Sequence, residues 1–188
     1  MLRPVSWSAS ATAGVLVAIA VAAAVPNSAA LRFSDSAAGR TCTTAQLKVR
    51  VSRWFVGLTH TGGHVAFTNR GHATCRLTGW PSLVGVTGAG TAKAAVHVRS
   101  TWYGPYAKGV PIVTLRRGQT AEAAFSGSDV PPPGRKTCSP PFRRLRVTPP
   151  GSSRAVQLSA WFPPLGRYLP GCARLEVSMV VRPSAFLH

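Results

Sequence analysis

Short stretches of the chain alternate between apolar and polar residues, and this period of two indicates β-strands. In the clearest stretch Leu47, Val49 and Val51 share one face, while Lys48 and Arg50 share the other. Eight further candidate strands are residues 64–69, 83–86, 94–98, 111–115, 120–125, 144–148, 156–158 and 174–181. Because 18 Gly and 16 Pro interrupt the longer runs, the chain after the N-terminal segment sustains no apolar stripe of helical period. We therefore expect an all-β fold, an immunoglobulin-like antiparallel β-sandwich of seven to nine strands.

The N-terminal segment has the pattern of an export signal. Arg3 precedes an apolar run at residues 11–25, which ends at Pro26 and is followed by the small residues up to Ala30. A spanning helix needs about 20 apolar residues, whereas this run has about 15. The pattern favours a signal peptide over residues 1–30, cleaved after Ala30, and the alternative is an uncleaved N-terminal anchor.

The rest of the chain has the length of one folded unit. Residues 31–41 are polar and rich in Ser, Ala and Gly, so we expect a flexible leader there. Residues 42–188 contain no obvious linker between two cores and are expected to form a single domain.

Four cysteines, Cys42, Cys75, Cys138 and Cys172, follow the predicted signal. An even number of cysteines in an exported chain indicates disulfides, and four cysteines allow three pairings. A nearest-neighbour pairing would close two loops of about 35 residues. Each disulfide would then raise the free energy of unfolding by roughly 3.5 to 4 kcal/mol. The closest pair is 33 positions apart, so the close cysteine pairs typical of zinc sites are absent from the sequence and no metal site is expected.

Residues for catalysis are scarce. The chain has four side-chain carboxylates, at Asp35, Glu122, Asp129 and Glu176, which leaves little material for a paired-carboxylate hydrolase. No Gly-x-Ser-x-Gly nucleophile elbow and no phosphate-binding loop with its lysine occurs, and oxidised cysteines would not be nucleophiles. We expect no enzymatic activity and no cofactor.

Three histidines allow one metal hypothesis. His60 and His64 flank a Gly-Gly pair and could converge with His72 at a sheet edge. No carboxylate lies near them in sequence to orient such ligands. Structural or solvated histidines are the favoured interpretation.

Charge is the strongest compositional signal. The chain carries 22 Lys and Arg, 18 of them Arg, against 4 acidic residues, for a formal net charge of +18. The candidate anion-binding residues are Arg116, Arg117, Arg135, Lys136, Arg143, Arg144 and Arg146. Arginine suits phosphate because its guanidinium group donates two parallel hydrogen bonds. The expected partner is an anionic cell-wall polymer or a membrane surface, and the alternative is a generally cationic surface without a specific role.

Nucleic acid is a less favoured partner, since an exported chain does not meet chromosomal DNA and no base-reading motif is found. Extracellular nucleic acid stays an alternative.

Aromatic residues beside Gly and Pro allow two interpretations. Trp54, Trp102, Tyr103, Tyr106 and Trp161 could fill the core, or could stack on sugars from loops. Core filling is the favoured interpretation.

Several motifs occur in an order that can be compared with known families. They are Cys42 with Leu47, Gly62-Gly63-His64, Phe67-Thr68-Asn69-Arg70-Gly71, Cys75-Arg76-Leu77-Thr78-Gly79-Trp80-Pro81, Leu115-x-x-Gly118-x-x-Ala121, Cys138, Leu145-Arg146-Val147-x-Pro149 and Cys172. In order and spacing the chain resembles a family of actinobacterial secreted and lipoprotein domains of unknown function, DUF4232. The resemblance implies a β-sandwich with sequential disulfides, Cys42–Cys75 and Cys138–Cys172, and implies nothing about activity. This chain departs from the family in being strongly basic and in lacking a lipid-attachment cysteine.

The signature residues His64, Asn69, Gly71, Gly79, Trp80 and Pro81 are expected to be structural. Residues 69–71 are expected to form a turn with Asn or Gly at positive φ, and Trp80-Pro81 to pack a corner of the sandwich. A ligand pocket around Trp80 is the alternative.

The sequence thus favours an exported, non-enzymatic binding module on the outer side of the cell envelope or in the medium. It would dock electrostatically on an anionic envelope polymer or on lipid head groups. The alternatives are a cryptic secreted hydrolase and a binder of polyanions or extracellular nucleic acid.

Overall fold

The computed structural model describes residues 39–172 and 174–186, and the predicted signal peptide lies outside these ranges. The described residues form 13 strands. These are β1 (Leu47–Gly57), β2 (His60–Asn69), β3 (Cys75–Thr78), β4 (Ser82–Thr87), β5 (Ala92–Ala94), β6 (Val96–His97), β7 (Ile112–Leu115), β8 (Thr120–Ser128), β9 (Ser139–Thr148), β10 (Val156–Ser159), β11 (Trp161–Phe162), β12 (Arg167–Gly171) and β13 (Leu175–Val177). Short 3₁₀ helices cover Thr44–Gln46, Pro163–Leu165 and Pro183–Phe186. Within the described ranges no helix has the length and apolar character needed to cross a membrane.

The all-β prediction is confirmed, and a strand lies in each of the nine predicted stretches. The predicted number of seven to nine strands is too low. Residues 94–98 are split between β5 and β6 on either side of Ala95, and β3, β11 and β12 were not predicted. These strands have two to five residues, too few for alternation to mark them clearly.

Two large sheets and one small sheet make up the fold. Sheet I has the order β1-β2-β8-β13-β6, and sheet II has the order β11-β12-β9-β4-β5 with β10 also paired to β9. A small sheet joins β3 to β7. Neighbouring strands are antiparallel except β13 and β6, which are parallel. The immunoglobulin-like type of the expected sandwich is not confirmed.

One hydrophobic core is shared by all three sheets, which makes the fold sandwich-like. Sheet I contributes Val65, Phe67, Ala121, Ala123, Phe125, Leu175 and Val177. Sheet II contributes Leu83, Phe142, Leu145, Val147 and Leu169, and the small sheet contributes Leu77, Val113 and Leu115. These positions are the inward half of each alternating strand, as the period of two requires.

The alternation predicted for residues 174–181 ends early. β13 stops at Val177, and both Ser178 and Val180 are buried, although the pattern placed them on the outer face. The Ser178 hydroxyl accepts a hydrogen bond from the Ala124 N–H, and Val181 forms an isolated bridge with Glu122. The segment therefore continues along β8 but with an irregular register.

Two disulfides close the chain into loops. Cys42 pairs with Cys75, and Cys138 pairs with Cys172, which is the nearest-neighbour choice among the three pairings. The first disulfide ties the segment before β1 to β3. The Arg76 N–H also donates to the Arg40 carbonyl, so the last residues of the expected leader, up to residue 41, are paired with β3.

Candidate functional site

Basic side chains far outnumber acidic ones in the described part of the chain. Arg3, Arg32 and Asp35 lie outside it, which leaves 20 of the 22 basic residues against three carboxylates. Within residues 39–172 and 174–186, the one arginine–carboxylate ion pair joins Arg174 Nε to Glu176 Oε1 at 3.4 Å. The other arginines of these ranges form no ion pair with a described carboxylate.

Arg144 and Arg146 lie two residues apart on β9, so their side chains project from the same, outer face of sheet II. Strand pairing places uncharged residues beside them on that face. The paired positions are Val84, Val86, Gln157 and Ser159. In the orientation assigned from its hydrogen bonds, the Gln157 amide oxygen accepts from Arg144 Nε and Nη1, both at 3.2 Å. The Arg144 guanidinium is thus held on the sheet by a neutral partner.

Arg143 has a different setting from the two arginines that follow it. The register of β9 against β4 shifts between Val86 and Thr87, and Arg143 is the extra residue of this irregularity. Its guanidinium carbon lies 4.3 Å from the centre of the Tyr168 ring, a cation–π contact. Arg143 therefore lies beside the row of Arg144 and Arg146, with an aromatic partner.

Arg116 and Arg117 lie in the turn between β7 and β8, and Arg117 lies beside basic residues of another loop. Arg117 Nη1 lies 3.3 Å from His72 Nδ1. A cleft of about 430 Å³ is lined by Thr68, Asn69, Arg70, Arg117 and Gly118. The hydrogen bond from the Gly118 N–H to the Asn69 carbonyl fixes these two loops against each other. The cleft offers two guanidinium groups to an anion, and Arg70 was not among the predicted residues.

Arg135 and Lys136 lie in the loop that leads into β9, and both are exposed. Arg144 follows Ser139, the first residue of β9, by five positions, which is about 17 Å along an extended strand. The seven predicted residues are all exposed, but they form three separate groups: the row on β9, the turn after β7 and the loop before β9.

A buried polar network lies on the outer face of sheet I. The Ser52 hydroxyl donates to Glu122 Oε1 at 2.8 Å, and His64 Nδ1 lies 3.3 Å from Glu122 Oε2. His64 Nδ1 has no hydrogen-bond partner of good geometry, so its approach to Glu122 is an electrostatic contact. His64 Nε2 lies 3.1 Å from the Tyr103 carbonyl, and the Phe186 ring lies over the imidazole with a centroid distance of 3.9 Å. His64 is only 1% exposed and Glu122 7%.

The network does not have the order of a serine triad. A triad places the histidine between the serine and the acid, whereas here Glu122 lies between Ser52 and His64. Burial raises the pKa of the Glu122 carboxyl, but the contact with His64, the hydrogen bond from Ser52 and the charges of His64 and Arg53 lower it by more. The net pKa lies below the usual range, so Glu122 holds its charge in the folded protein.

The three histidines of the metal hypothesis do not converge. His64 is buried in the network, His60 stacks on Trp102 with ring centroids 4.6 Å apart, and His72 contacts Arg117. Within the described ranges no group of three His, Cys, Asp or Glu could hold a metal ion.

The turn at residues 69–71 is built differently from the prediction. Neither Asn69 nor Gly71 has a positive φ. Instead, the Asn69 side chain organises the loop: its amide donates to the Ala73 and Leu115 carbonyls, both at 2.9 Å, and its oxygen accepts from the Gly71 N–H. The side chain takes the place of a backbone turn, as Asx-turns do, so positive φ is not needed.

Gly79, Trp80 and Pro81 form the corner between β3 and β4. Gly79 has φ of +84°, the Trp80 indole N–H donates to the Val98 carbonyl at 2.8 Å, and Pro81 is buried. The Trp80 ring stacks on His97 with centroids 5.7 Å apart. The polar group of Trp80 is thus used within the protein.

The aromatic residues are divided between core and surface. Trp54 packs edge-on against Phe125 and Phe162 in the core, at centroid distances of 5.6 and 5.1 Å. Trp102 and Tyr106 are 57% and 67% exposed. The prediction that the aromatic residues fill the core is therefore correct for Trp54 and wrong for the loop containing Trp102.

Comparison with known protein families gives a match over most of the chain. The family described as "Domain of unknown function (DUF4232)" matches residues 42–180, which run from the first cysteine to beyond β13. No curated protein and no solved structure matches the chain. Because the match covers most of the sequence and includes both disulfides, this chain belongs to the DUF4232 family of domains of unknown function.

Proposed function

We propose that this protein is a non-enzymatic binding module that acts outside the cytoplasm, at the cell envelope. It docks electrostatically on phosphate groups, carried by an anionic envelope polymer or by lipid head groups. The observation that carries this proposal is the excess of arginines without a described carboxylate partner. Two disulfides support the compartment, since they are typical of proteins in oxidising surroundings.

The row on β9 fits a repeating anion. Side chains two residues apart on a strand are separated by about 7 Å. Arg144 and Arg146 can therefore contact two phosphates of one extended polymer, or two neighbouring head groups, from one flat face. Bidentate guanidinium–phosphate contacts are stronger than neutral hydrogen bonds, and no described carboxylate competes for these two arginines.

We expect Arg144→Gln with Arg146→Gln to weaken binding about thirtyfold at low salt, because two cations near an anionic surface are lost. Binding of the unaltered protein should also fall steeply as salt rises, since phosphate contacts release counterions. The measurement is a salt titration of binding to soluble polyphosphate and, in parallel, to vesicles that contain phosphatidylglycerol. Preference for one of the two probes identifies the source of the phosphate.

Lys48→Gln with Arg50→Gln is the matched control, because it removes two charges from exposed positions two residues apart on β1, in the other sheet. It should weaken binding much less. Equal losses in both variants would show that net charge acts without a defined face. Salt-independent binding to both probes would contradict the proposal, and tighter binding to single-stranded DNA than to polyphosphate would favour a nucleic-acid binder.

A further inference from the structure

The turn between β1 and β2 combines backbone strain with an exposed apolar side chain. Leu58 and Thr59 form this two-residue turn, with φ of +31° and +69°. Such hairpin turns favour Asn and Gly, because positive φ is costly for residues with a branched or bulky side chain. Leu58 is nevertheless 82% exposed, so no packing within the described protein compensates for its position. A strained, exposed leucine indicates a contact made outside the chain.

Two other loops lie beside this turn. The His60 ring stacks on Trp102 with an interplanar angle of 4°, and the Thr59 carbonyl accepts a hydrogen bond from the Asp129 N–H at 2.9 Å. These contacts place the loops that carry Trp102 and Val130, both exposed, beside the turn that carries Leu58. Tyr106 shares with Trp102 a cleft of about 450 Å³. We call these four exposed residues the apolar tip: Leu58, Trp102, Tyr106 and Val130.

Several polar groups behind the apolar tip, on Ser100 and Tyr103, are already bonded within the protein. The Ser100 hydroxyl donates to the Gly104 carbonyl at 2.6 Å, and the Tyr103 hydroxyl donates to the His60 carbonyl at 2.6 Å. The Tyr103 N–H is taken by the Thr101 hydroxyl, and the Tyr103 carbonyl by His64. A sugar needs free hydrogen-bonding groups beside the aromatic ring. The groups named here are not free to bind a glycan, and the exposed Leu58 and Val130 side chains of the neighbouring loops offer only carbon surface, which fits an apolar partner.

The positive charge of the chain favours a lipid membrane as the apolar partner. The apolar tip belongs to a protein with 20 described basic residues, and anionic membranes attract such a surface. Tryptophan and tyrosine favour the boundary between head groups and acyl chains, and leucine favours the acyl layer below it. We propose that the apolar tip enters this boundary layer of a lipid bilayer, with Leu58 inserted deepest. This contact adds a hydrophobic, salt-resistant component that the electrostatic docking proposed above does not require.

Two single substitutions in the turn separate the proposed contact from its effect on folding. Leu58→Asn removes the inserted side chain, and Thr59→Gly keeps Leu58. Both new residues tolerate positive φ, so both variants should melt at a higher temperature than the unaltered protein. In flotation with phosphatidylcholine vesicles at high salt, Thr59→Gly should bind as the unaltered protein does. Leu58→Asn should bind about tenfold more weakly, because a leucine side chain is no longer buried.

Flotation of Leu58→Asn equal to that of Thr59→Gly would overturn the inference, as would failure of the unaltered protein to float at high salt. A saturable fluorescence change with a soluble oligosaccharide, lost in Trp102→Phe and seen without flotation, would instead assign the cleft to a sugar. Failure of the electrostatic proposal is distinguishable, since it would abolish the salt-sensitive binding to polyphosphate and leave flotation at high salt unchanged.

Discussion

Replacing Cys42 and Cys75 together by alanine is expected to lower the free energy of unfolding by about 4 kcal/mol. The two cysteines are 33 positions apart, and closing a loop of this length restricts the unfolded chain by roughly 3.5 to 4 kcal/mol. Both side chains are 1% exposed and belong to the hydrophobic core, so lost packing adds to the effect. Since domains of this size are stable by only about 5 to 15 kcal/mol, this loss is about a quarter to four fifths of the total stability.

Urea denaturation of the two disulfide variants measures this difference. Cys138→Ala with Cys172→Ala opens a loop of nearly the same length, with a separation of 34, and Cys138 is less buried. The loss of unfolding free energy from chain entropy should therefore be similar in the two variants. The loss from packing should be smaller in the Cys138→Ala, Cys172→Ala variant. Melting of the unaltered protein that does not change with reductant would contradict a stabilising role for either disulfide.

The strands could be predicted from local pattern, whereas their partners could not. Val49 and Val51 point inward because alternation places them on one face, and this needs no knowledge of the rest of the fold. The parallel pairing of β13 with β6 joins segments about 80 residues apart, and no local pattern encodes it. The split of residues 94–98 at Ala95 could not be predicted either. The Ala95 N–H still donates to the Leu83 carbonyl of sheet II, whereas Val96 and His97 pair with β13 of sheet I.

The basic surface shows the same limit. Composition predicts a cationic protein, and β9 alone predicts that Arg144 and Arg146 share a face. Arg70 meets Arg117 only because β2 pairs with β8, which brings residue 69 beside residues 118 and 119. The hydrogen bonds of the Asn69 side chain hold these two loops together. From the sequence, a turn with positive φ is expected at residues 69–71, so these bonds were not predicted.

The motif Gly62-Gly63-His64 has a physical reason that becomes visible only in three dimensions. A Cβ atom on Gly62 would overlap the Phe125 carbonyl oxygen of β8, and one on Gly63 would overlap the Arg53 carbonyl oxygen of β1. β2 thus lies unusually close to both neighbours just before His64. The β1 irregularity between Val51 and Arg53 then brings Ser52 to Glu122. From the sequence, the scarcity of acidic residues predicted only that catalysis was absent, and gave no sign of this buried network.

Glu122→Ala is expected to destabilise the protein by about 3 kcal/mol at neutral pH, because it leaves the buried His64 imidazole and the half-buried Ser52 hydroxyl without the carboxylate. Glu176→Ala is the matched control. Glu176 also faces one cation, Arg174, but both side chains of that pair are partly exposed, so its removal should cost less than about 1 kcal/mol. Urea denaturation of both variants checks the contrast, and equal small losses would show that the buried network contributes little.

The Glu122 carboxylate should also control how the free energy of unfolding falls at acid pH. The folded state lowers the pKa of Glu122 below its ordinary 4.5, so the unfolded chain takes up a proton at a higher pH than the folded one. The stabilisation is therefore fully present above about 4.5 and is lost as pH falls through the folded pKa. We expect the difference in unfolding free energy between the unaltered protein and Glu122→Gln, which keeps an acceptor for Ser52 but no charge, to shrink over this acid range. Because the chain has only four side-chain carboxylates, few other groups contribute there. A difference that stays constant from neutral pH to below this range would mean that the charge of Glu122 does not stabilise the fold.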